Sequence, residues 1–241
     1  MNIIKLNAIP STNDYLKDLS KQYSLPDFTV VVAEHQTKGK GQMGEIWQSE
    51  SGKSLLFSVL VSRKEIDSSA VFLINVLAAL AVIYTLESYD LDGLAIKWPN
   101  DILSYNKKIG GILIENIFKS TGEIQMIIGI GLNLYQTDFS SLPQASSVYH
   151  AYQKKIDKDE LLNKIVEYIQ KNIPEANQKI DFWWNEYHDK LYKKNQPNLF
   201  EKEGQVFTGI VRGATRDGFL QLEDESGKIQ TYGLKEVKMI Y

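Results

Sequence analysis

Residues 70–84, AVFLINVLAALAVIY, constrain this chain more than any other segment. Apart from Asn75 the run is apolar, so a helix built from it has no polar face to turn toward water. Such a helix must be covered on every side, and the run is too short for the roughly 20 residues that a bilayer span requires. The expectation is a buried helix over 67 to about 89. The chain can supply the cover: it has 241 residues, 43% of them hydrophobic, enough for one large domain or for one large and one small. Its 27 Lys and Arg stand against 30 Asp and Glu, and a net charge of -3 gives no broad attraction for nucleic-acid phosphates. Cysteine is absent, which excludes disulfides, thiolate zinc sites and thioester chemistry and fits a reducing compartment. The opening MNIIKLNAIP has one lysine and no sustained apolar run, so it does not read as a secretory signal and a cytoplasmic location is expected.

The other elements follow from local pattern. Residues 3–9 read as a short strand, and Ser11 caps a helix reaching to about Gln22. A β-branched strand over 28–35 leads into 36–53, a stretch with four glycines and no apolar periodicity. A loop of that length in a small domain is usually functional. Strands are expected over 54–62 and 94–98, then over 108–118 and 123–132 around a turn at Ser120-Thr121-Gly122. A polar stretch runs to Ala151, helices are expected over 159–171 and 175–192, and 193–198 reads as a linker. Short strands from Gly204 onward, broken at Asp217-Gly218, Ser226-Gly227 and Gly233, have the pattern of a small antiparallel barrel. The expected fold class is α+β, with a mixed sheet packed by helices over 1–195 and a small β-barrel domain over 196–241.

Several familiar motifs fail on context. Gly39-Lys40-Gly41-Gln42-Met43-Gly44 matches G-x-G-x-x-G, but a dinucleotide fingerprint must open a helix and this one leads into a strand. Gly52-Lys53-Ser54 resembles the tail of a phosphate-binding loop, yet Trp47 stands where the partner glycine belongs. His35, His150 and His188 are scattered without metal-ligand spacing. What remains is Lys97-Trp98-Pro99-Asn100-Asp101, a lysine ending an apolar strand, where burial is costly unless an anion is met. Gly110, Gly111, Gly129 and Gly131 lie inside strand patterns, which indicates close approach of a ligand or of another backbone.

Ser11-Thr12-Asn13, the loop from Gln36 to Trp47, KWPND at 97–101, KIGGILIE at 108–115 and GIGLN at 129–133 resemble, in order and spacing, the catalytic domain of the biotin-protein ligases. The terminal strands are similar to that family's SH3-like C-terminal domain. The resemblance implies the mixed-sheet biotin–lipoate ligase fold, which is like that of class II synthetases, and two half-reactions. Biotin's carboxylate attacks the α-phosphate of ATP, and the resulting biotinyl-adenylate acylates a lysine of a biotin carboxyl carrier domain of a carboxylase. A carboxylate is already ionised at neutral pH, so the first step needs cations and no general base. Lys97 is the expected catalytic residue, at biotin's carboxylate and the transferring phosphate, with Lys108 on the phosphate side. For biotin the resemblance implies Ser11, Thr12, Asn13, Gln36, Lys40, Gly41, Gln42, Gly110 and Gly111 besides Lys97; for ATP it implies Lys40, Trp47, Asn100, Lys108 and Asn133. Magnesium is expected to arrive on the ATP phosphates, with no protein metal site of its own.

Lys40 stands where the family usually has arginine, keeping the charge but losing the bidentate fork. Gln42 and Glu45 also depart from a loop that is often basic there. The loop is expected to close over the adenylate and protect it from water, with residues 37–46 mobile until ligand binds. Asp101 is a candidate base or orienter for the second step. A lipoate-protein ligase is the alternative with the same adenylate logic, disfavoured by KWPND and the tryptophan-ended loop. Only ten residues precede Ser11, too few for a helix-turn-helix domain, so no DNA-binding role is expected; nor is a membrane partner, while a homodimer is compatible with the sequence.

Overall fold

The apolar run lies in α2 (Ser68–Glu87), in a computed structural model that describes residues 2–64, 68–120 and 122–240. From Leu73 to Ile83 every residue of α2 is buried, as an all-round apolar helix requires. On one side it meets α4 (Lys158–Asn172) and α5 (Ile180–Asp189), and on the other a seven-stranded sheet. No described helix is long and apolar enough to cross a membrane. Asn75, the one polar interruption, donates from Nδ2 to the Pro99 carbonyl at 2.8 Å, so the buried helix grips the turn that follows Lys97.

The sheet runs in the order β1 (Asn2–Ile9), β2 (Thr29–Gln36), β3 (Ser54–Lys64), β7 (Glu123–Asn133), β6 (Lys107–Phe118), β5 (Asp101–Ser104), β4 (Leu94–Lys97). Only β1 and β2 pair in parallel, joined by α1 (Thr12–Gln22). Strand alternation gives β7 two different faces. Ile124, Met126, Ile128, Ile130 and Leu132 belong to the core with α2, whereas Ile127 joins Leu16 of α1, Val31 and Leu60 in a second, smaller core. Further along that second face come Gly129, Gly131 and Asn133, where the core gives way to the start of α1 and the glycines have no side chains of their own.

Residues 197–240 form a five-stranded antiparallel sheet in the order β11 (Ile229–Tyr232), β10 (Leu220–Glu223), β9 (Gln205–Ala214), β8 (Pro197–Lys202), β12 (Lys238–Ile240). Its Phe200, Val211, Leu220 and Val237 are continuous with the main core. Trp98 Nε1 donates to the Gly218 carbonyl at 2.9 Å, and His188 Nε2 accepts from the Ala214 N–H at 3.1 Å, so both ends of the junction are hydrogen-bonded.

Local pattern misplaced several elements. Residues 101–104 form β5, pairing with β4 and β6, although no strand was expected there; a four-residue strand behind a proline has too little pattern to show. The polar stretch holds α3 (Val148–Tyr152), started by Ser147 Oγ accepting from the His150 N–H at 3.0 Å. The single helix expected over 175–192 is a 3₁₀ turn, Ala176–Lys179, followed by α5. Beyond α5 the edge strand β4 captures the chain: Ile96 N–H donates to Lys190 O at 2.8 Å and Tyr192 N–H to Ile96 O at 2.9 Å. The expected linker is already strand at Pro197 and Asn198, which pair with Ile210 and Gly209. Asp67 and Thr121, placed by the sequence at a helix start and in a turn, lie outside the described residues.

Replacing Asn75 by Ala leaves Pro99 O with only the long 3.3 Å bond from Tyr187 Oη. The expected loss is about 1–3 kcal/mol in chemical denaturation. Burial holds the His188 imidazole below its usual 6.5, a downward push that the Ala214 carbonyl, also 3.1 Å from Nε2 and a partner for the protonated ring, only partly offsets, with Lys194 adding to it and Asp189 opposing it. The unfolded chain then binds the proton more readily, so this contribution is present above 6.5 and is lost as pH falls through the depressed folded value. Denaturation midpoints of wild type and His188→Gln should therefore converge in mild acid.

Candidate active site

A cavity of about 540 Å³ opens over the glycine face of β7 and is lined from four directions. The start of α1 and the end of β2 bring Ser11, Thr12, Asn13 and Gln36; β4, β5 and β6 bring Lys97, Asn100, Asp101, Lys108 and Gly111; the glycine-rich loop brings Lys40, Gly41, Gln42 and Trp47. The C-terminal sheet adds Leu234, Lys235 and Lys238.

The α1 end is a closed polar network. Ser11 Oγ caps the helix by accepting from the Asp14 N–H at 3.3 Å. Thr12 donates to Gln36 Oε1 twice, from its N–H at 2.7 Å and its hydroxyl at 2.9 Å. The Ser58 hydroxyl lies 2.7 Å from Thr12 Oγ1 and 2.6 Å from Asn13 Oδ1, with one proton to give. Asn13 Nδ2 donates to Glu115 Oε2 at 2.9 Å, and Lys17 reaches the other oxygen of the same carboxylate at 3.2 Å. Asn13 thus ties α1 to β6, and its carboxamide lies so close to Gly129 that a Cβ there would sit 2.3 Å from Asn13 Oδ1. Sequence pattern assigns no role to Ser58, and Glu115 stands there only as the last residue of the 108–115 motif. A serine amid the apolar run SLLFSVLVS is the one signal that pointed to the former.

The opposite end is cationic. Asp101 accepts from Lys108 Nζ at 2.6 Å and lies 3.9 Å from Lys97 Nζ, so one carboxylate steadies two ammonium groups. Burial pushes the Lys97 pKa below its usual 10.5; Asp101 opposes the shift, and Lys108 and Lys238 add to it. Asp101 belongs first to this lysine pair, before any part in acyl transfer. Asn100 donates from its side-chain Nδ2 to the Ile112 carbonyl at 2.5 Å, and its own backbone carbonyl receives the Ile112 N–H at 3.1 Å, which locks the turn to β6.

Trp47 is the roof. Gly111 and Gly131 are direct partners across β6 and β7, and a Cβ on Gly131 would come within 2.7 Å of Trp47 Cε2. The indole therefore rests on bare backbone, with Lys108 Nζ 5.5 Å from its ring centre. Its Nε1 is buried without a protein partner, as is Asn133 Oδ1 one step further along the same face. Asn133 uses its Nδ2 to donate to Ser146 O at 3.1 Å and does not line the cavity. Gly110 does not line it either: it faces the core, where a Cβ would meet Leu132 Cδ2 at 2.4 Å. Its lack of a side chain serves strand packing. Lys40 is turned to Asp14 at 2.6 Å, a bond that raises its pKa and keeps it charged at the cavity rim.

Residues 6–133 match the model of the biotin/lipoate A/B protein ligase family. The bifunctional ligase/repressor BirA of Bacillus spizizenii is 30% identical over 239 residues, covering 96% of this chain and 72% of that protein. The biotin--[acetyl-CoA-carboxylase] ligase of Mycobacterium tuberculosis is 27% identical over 150 residues, 61% of this chain and 54% of that one. The biotin protein ligase of Aquifex aeolicus, solved in complex with biotin and ATP, superposes with a TM-score of 0.81 at 27% identity, covering 99% of this chain and 98% of that chain. The chain belongs to the biotin/lipoate A/B protein ligase family, as a ligase of the biotin–protein type.

Gly131→Ala should lift Trp47 from the sheet. The expected result is faster proteolytic cleavage within residues 37–46 at unchanged global stability, followed by mass spectrometry of the fragments.

Proposed function

We propose that this protein joins biotin to ATP as biotinyl-5′-adenylate and then passes the biotinyl group to one lysine of a biotin carboxyl carrier domain. The observation that carries the reading is the half-buried Lys97, paired with Lys108 on Asp101, at one end of a cavity whose other end is the Ser11, Thr12 and Gln36 network. Two ammonium groups in a partly dry site suit a step in which carboxylate and phosphate oxygens crowd together. In that step a carboxylate oxygen bonds to the α-phosphorus, the bond to the bridging oxygen breaks, and pyrophosphate leaves with the electron pair. In the second, the carrier lysine's amine bonds to the acyl carbon, AMP departs, and the amine loses a proton.

Lys97 is assigned to biotin's carboxylate and the α-phosphate, Lys108 to the phosphate side. Ser11, Thr12 and Gln36 are assigned to the polar head of biotin, and Gly41, Gln42 and Gly111 to close backbone approach around it. Trp47 is assigned to the adenine through its flat face; Asn133, expected at the same base, lies outside the cavity lining and is given no direct contact. Magnesium enters as part of the MgATP substrate. Among the described residues no cluster of three or more His, Asp or Glu is placed to hold a metal ion. The same reading takes 1–195 as the catalytic domain and 196–241 as a smaller domain beside it. The proposal concerns ligation alone and does not extend to this chain the repressor activity in the Bacillus relative's name.

Incubation with biotin, MgATP and a carrier-domain fragment, followed by intact-mass spectrometry, should show one biotinyl addition; lipoate in place of biotin should give none. An unmodified carrier, or preference for lipoate, would overturn the reading. Lys97→Ala should cut biotin-dependent pyrophosphate release by roughly 10²–10³-fold or more with the fold retained. Because the ammonium form is the one required, adenylate formation should fall on the alkaline side as Lys97 loses its proton, at a pH below the 10.5 of an ordinary lysine. Asp101→Asn should slow adenylate formation itself, since it loosens both lysines.

A further inference from the structure

The C-terminal sheet reaches the glycine-rich loop through one side chain that no part of the ligase reading uses. Lys235 Nζ donates to the Met43 carbonyl at 2.9 Å, across 192 residues of sequence. It also lies 3.9 Å from Glu45 Oε1, the acidic residue that sets this loop apart. Both ends of the contact are built. Lys235 sits in a tight turn between buried Tyr232 and Val237, with a left-handed φ of 63°, and the Gly233 N–H donates to Glu236 Oε2 at 2.7 Å to hold that turn. Met43, with φ 52°, is the tip of a small hairpin closed by the Lys40–Ile46 bridge and by the Gly41 N–H donating to Glu45 O at 2.7 Å. Fixing Met43 O therefore fixes the hairpin as a unit, while Lys40 fixes its base to Asp14 on α1 at 2.6 Å.

We propose that Lys235 is a positioning residue for the reaction: it latches the tip of the glycine-rich loop to the C-terminal domain and so keeps the loop shut over the acyl-adenylate until the carrier arrives. The inference rests on the ligase reading. The exposed Lys235–Glu45 pair is too long and too solvated to hold a loop by itself. A charged donor on a backbone carbonyl at 2.9 Å is stronger, and its backbone acceptor is unaffected by substitution in the loop. The second domain thereby acts on the intermediate without touching it. Water reaches the mixed anhydride only when the hairpin swings out, so the latch sets how much adenylate is wasted per carrier modified.

The test uses the full chain with biotin and MgATP but no carrier, reading AMP formed by leakage, alongside the KM for biotin and protease cleavage within residues 37–46. Lys235→Ala is expected to raise the leak roughly three- to tenfold and to raise KM by a similar factor, more than it lowers kcat. Lys235→Arg should restore all three readings. Glu45→Gln should change them by less than about twofold, and Lys228→Ala, in another exposed turn of the same sheet, should match wild type. Wild-type leakage and cleavage in Lys235→Ala would overturn the latch, as would failure of arginine to rescue. A wild-type chain that makes no adenylate would instead refute the ligase reading, with the cleavage comparison still able to show whether Lys235 holds the loop.

Discussion

Everything at the site depends on the two unlike faces of β7. Its even-numbered residues, from Ile124 to Leu132, bury against the layer that holds α2 and supply the cohesion of the molecule. Its odd-numbered residues change along the strand from Ile127, which packs under α1, to Gly129 and Gly131, which carry nothing. A strand flanked on both sides cannot tilt or slip to fill the space this leaves. Register with β3 and β6 is continuous across the segment, and a slip of one residue would turn the isoleucines into the cavity and the glycines into the core. The cavity is thus maintained by the hydrophobic core behind it.

The polar groups follow from that placement. Asn13 comes down on Gly129 and Trp47 on Gly131, so the two glycines seat a helix start and a loop end side by side. At the far end a half-buried lysine is tolerable because Asp101 stands between it and Lys108. The turn carrying that lysine is itself pinned from behind, by Asn75 of α2 on Pro99 O and by Trp98 on Gly218 O. One interruption in the most apolar segment of the chain therefore reaches the chemistry. The desolvation that depresses the Lys97 pKa also makes its charge more effective when an anion arrives, since both consequences come from the same low local dielectric.

The C-terminal sheet is part of the same machine. Its core residues are continuous with those around α2, and its last turn and strand form one wall of the cavity. The loop is consequently bounded by two surfaces from distant parts of the chain, α1 and the C-terminal turn. A segment with four glycines and no apolar stripe has little of its own to order it. Its conformation comes from Trp47 on the sheet and from lysines at its base and tip.

The sequence by itself determined the buried helix, the catalytic-strand motifs and the α+β class, because each is written in residues close together: an apolar run, a capped helix start, a lysine before a fixed turn, glycines inside strands. It did not distinguish Gly110, which packs into the core, from its neighbour Gly111, which lines the cavity, since adjacent residues on a strand look the same until the sheet's faces are known. It did not reveal β5 or α3, whose four and five residues are too few to carry a periodic pattern of their own. Ser58, Glu115 and Lys235 act only through contacts made 45 to 192 residues away. Such contacts leave no local pattern, because what fixes them is the meeting of surfaces in the folded molecule, and that meeting was decided by tertiary structure alone.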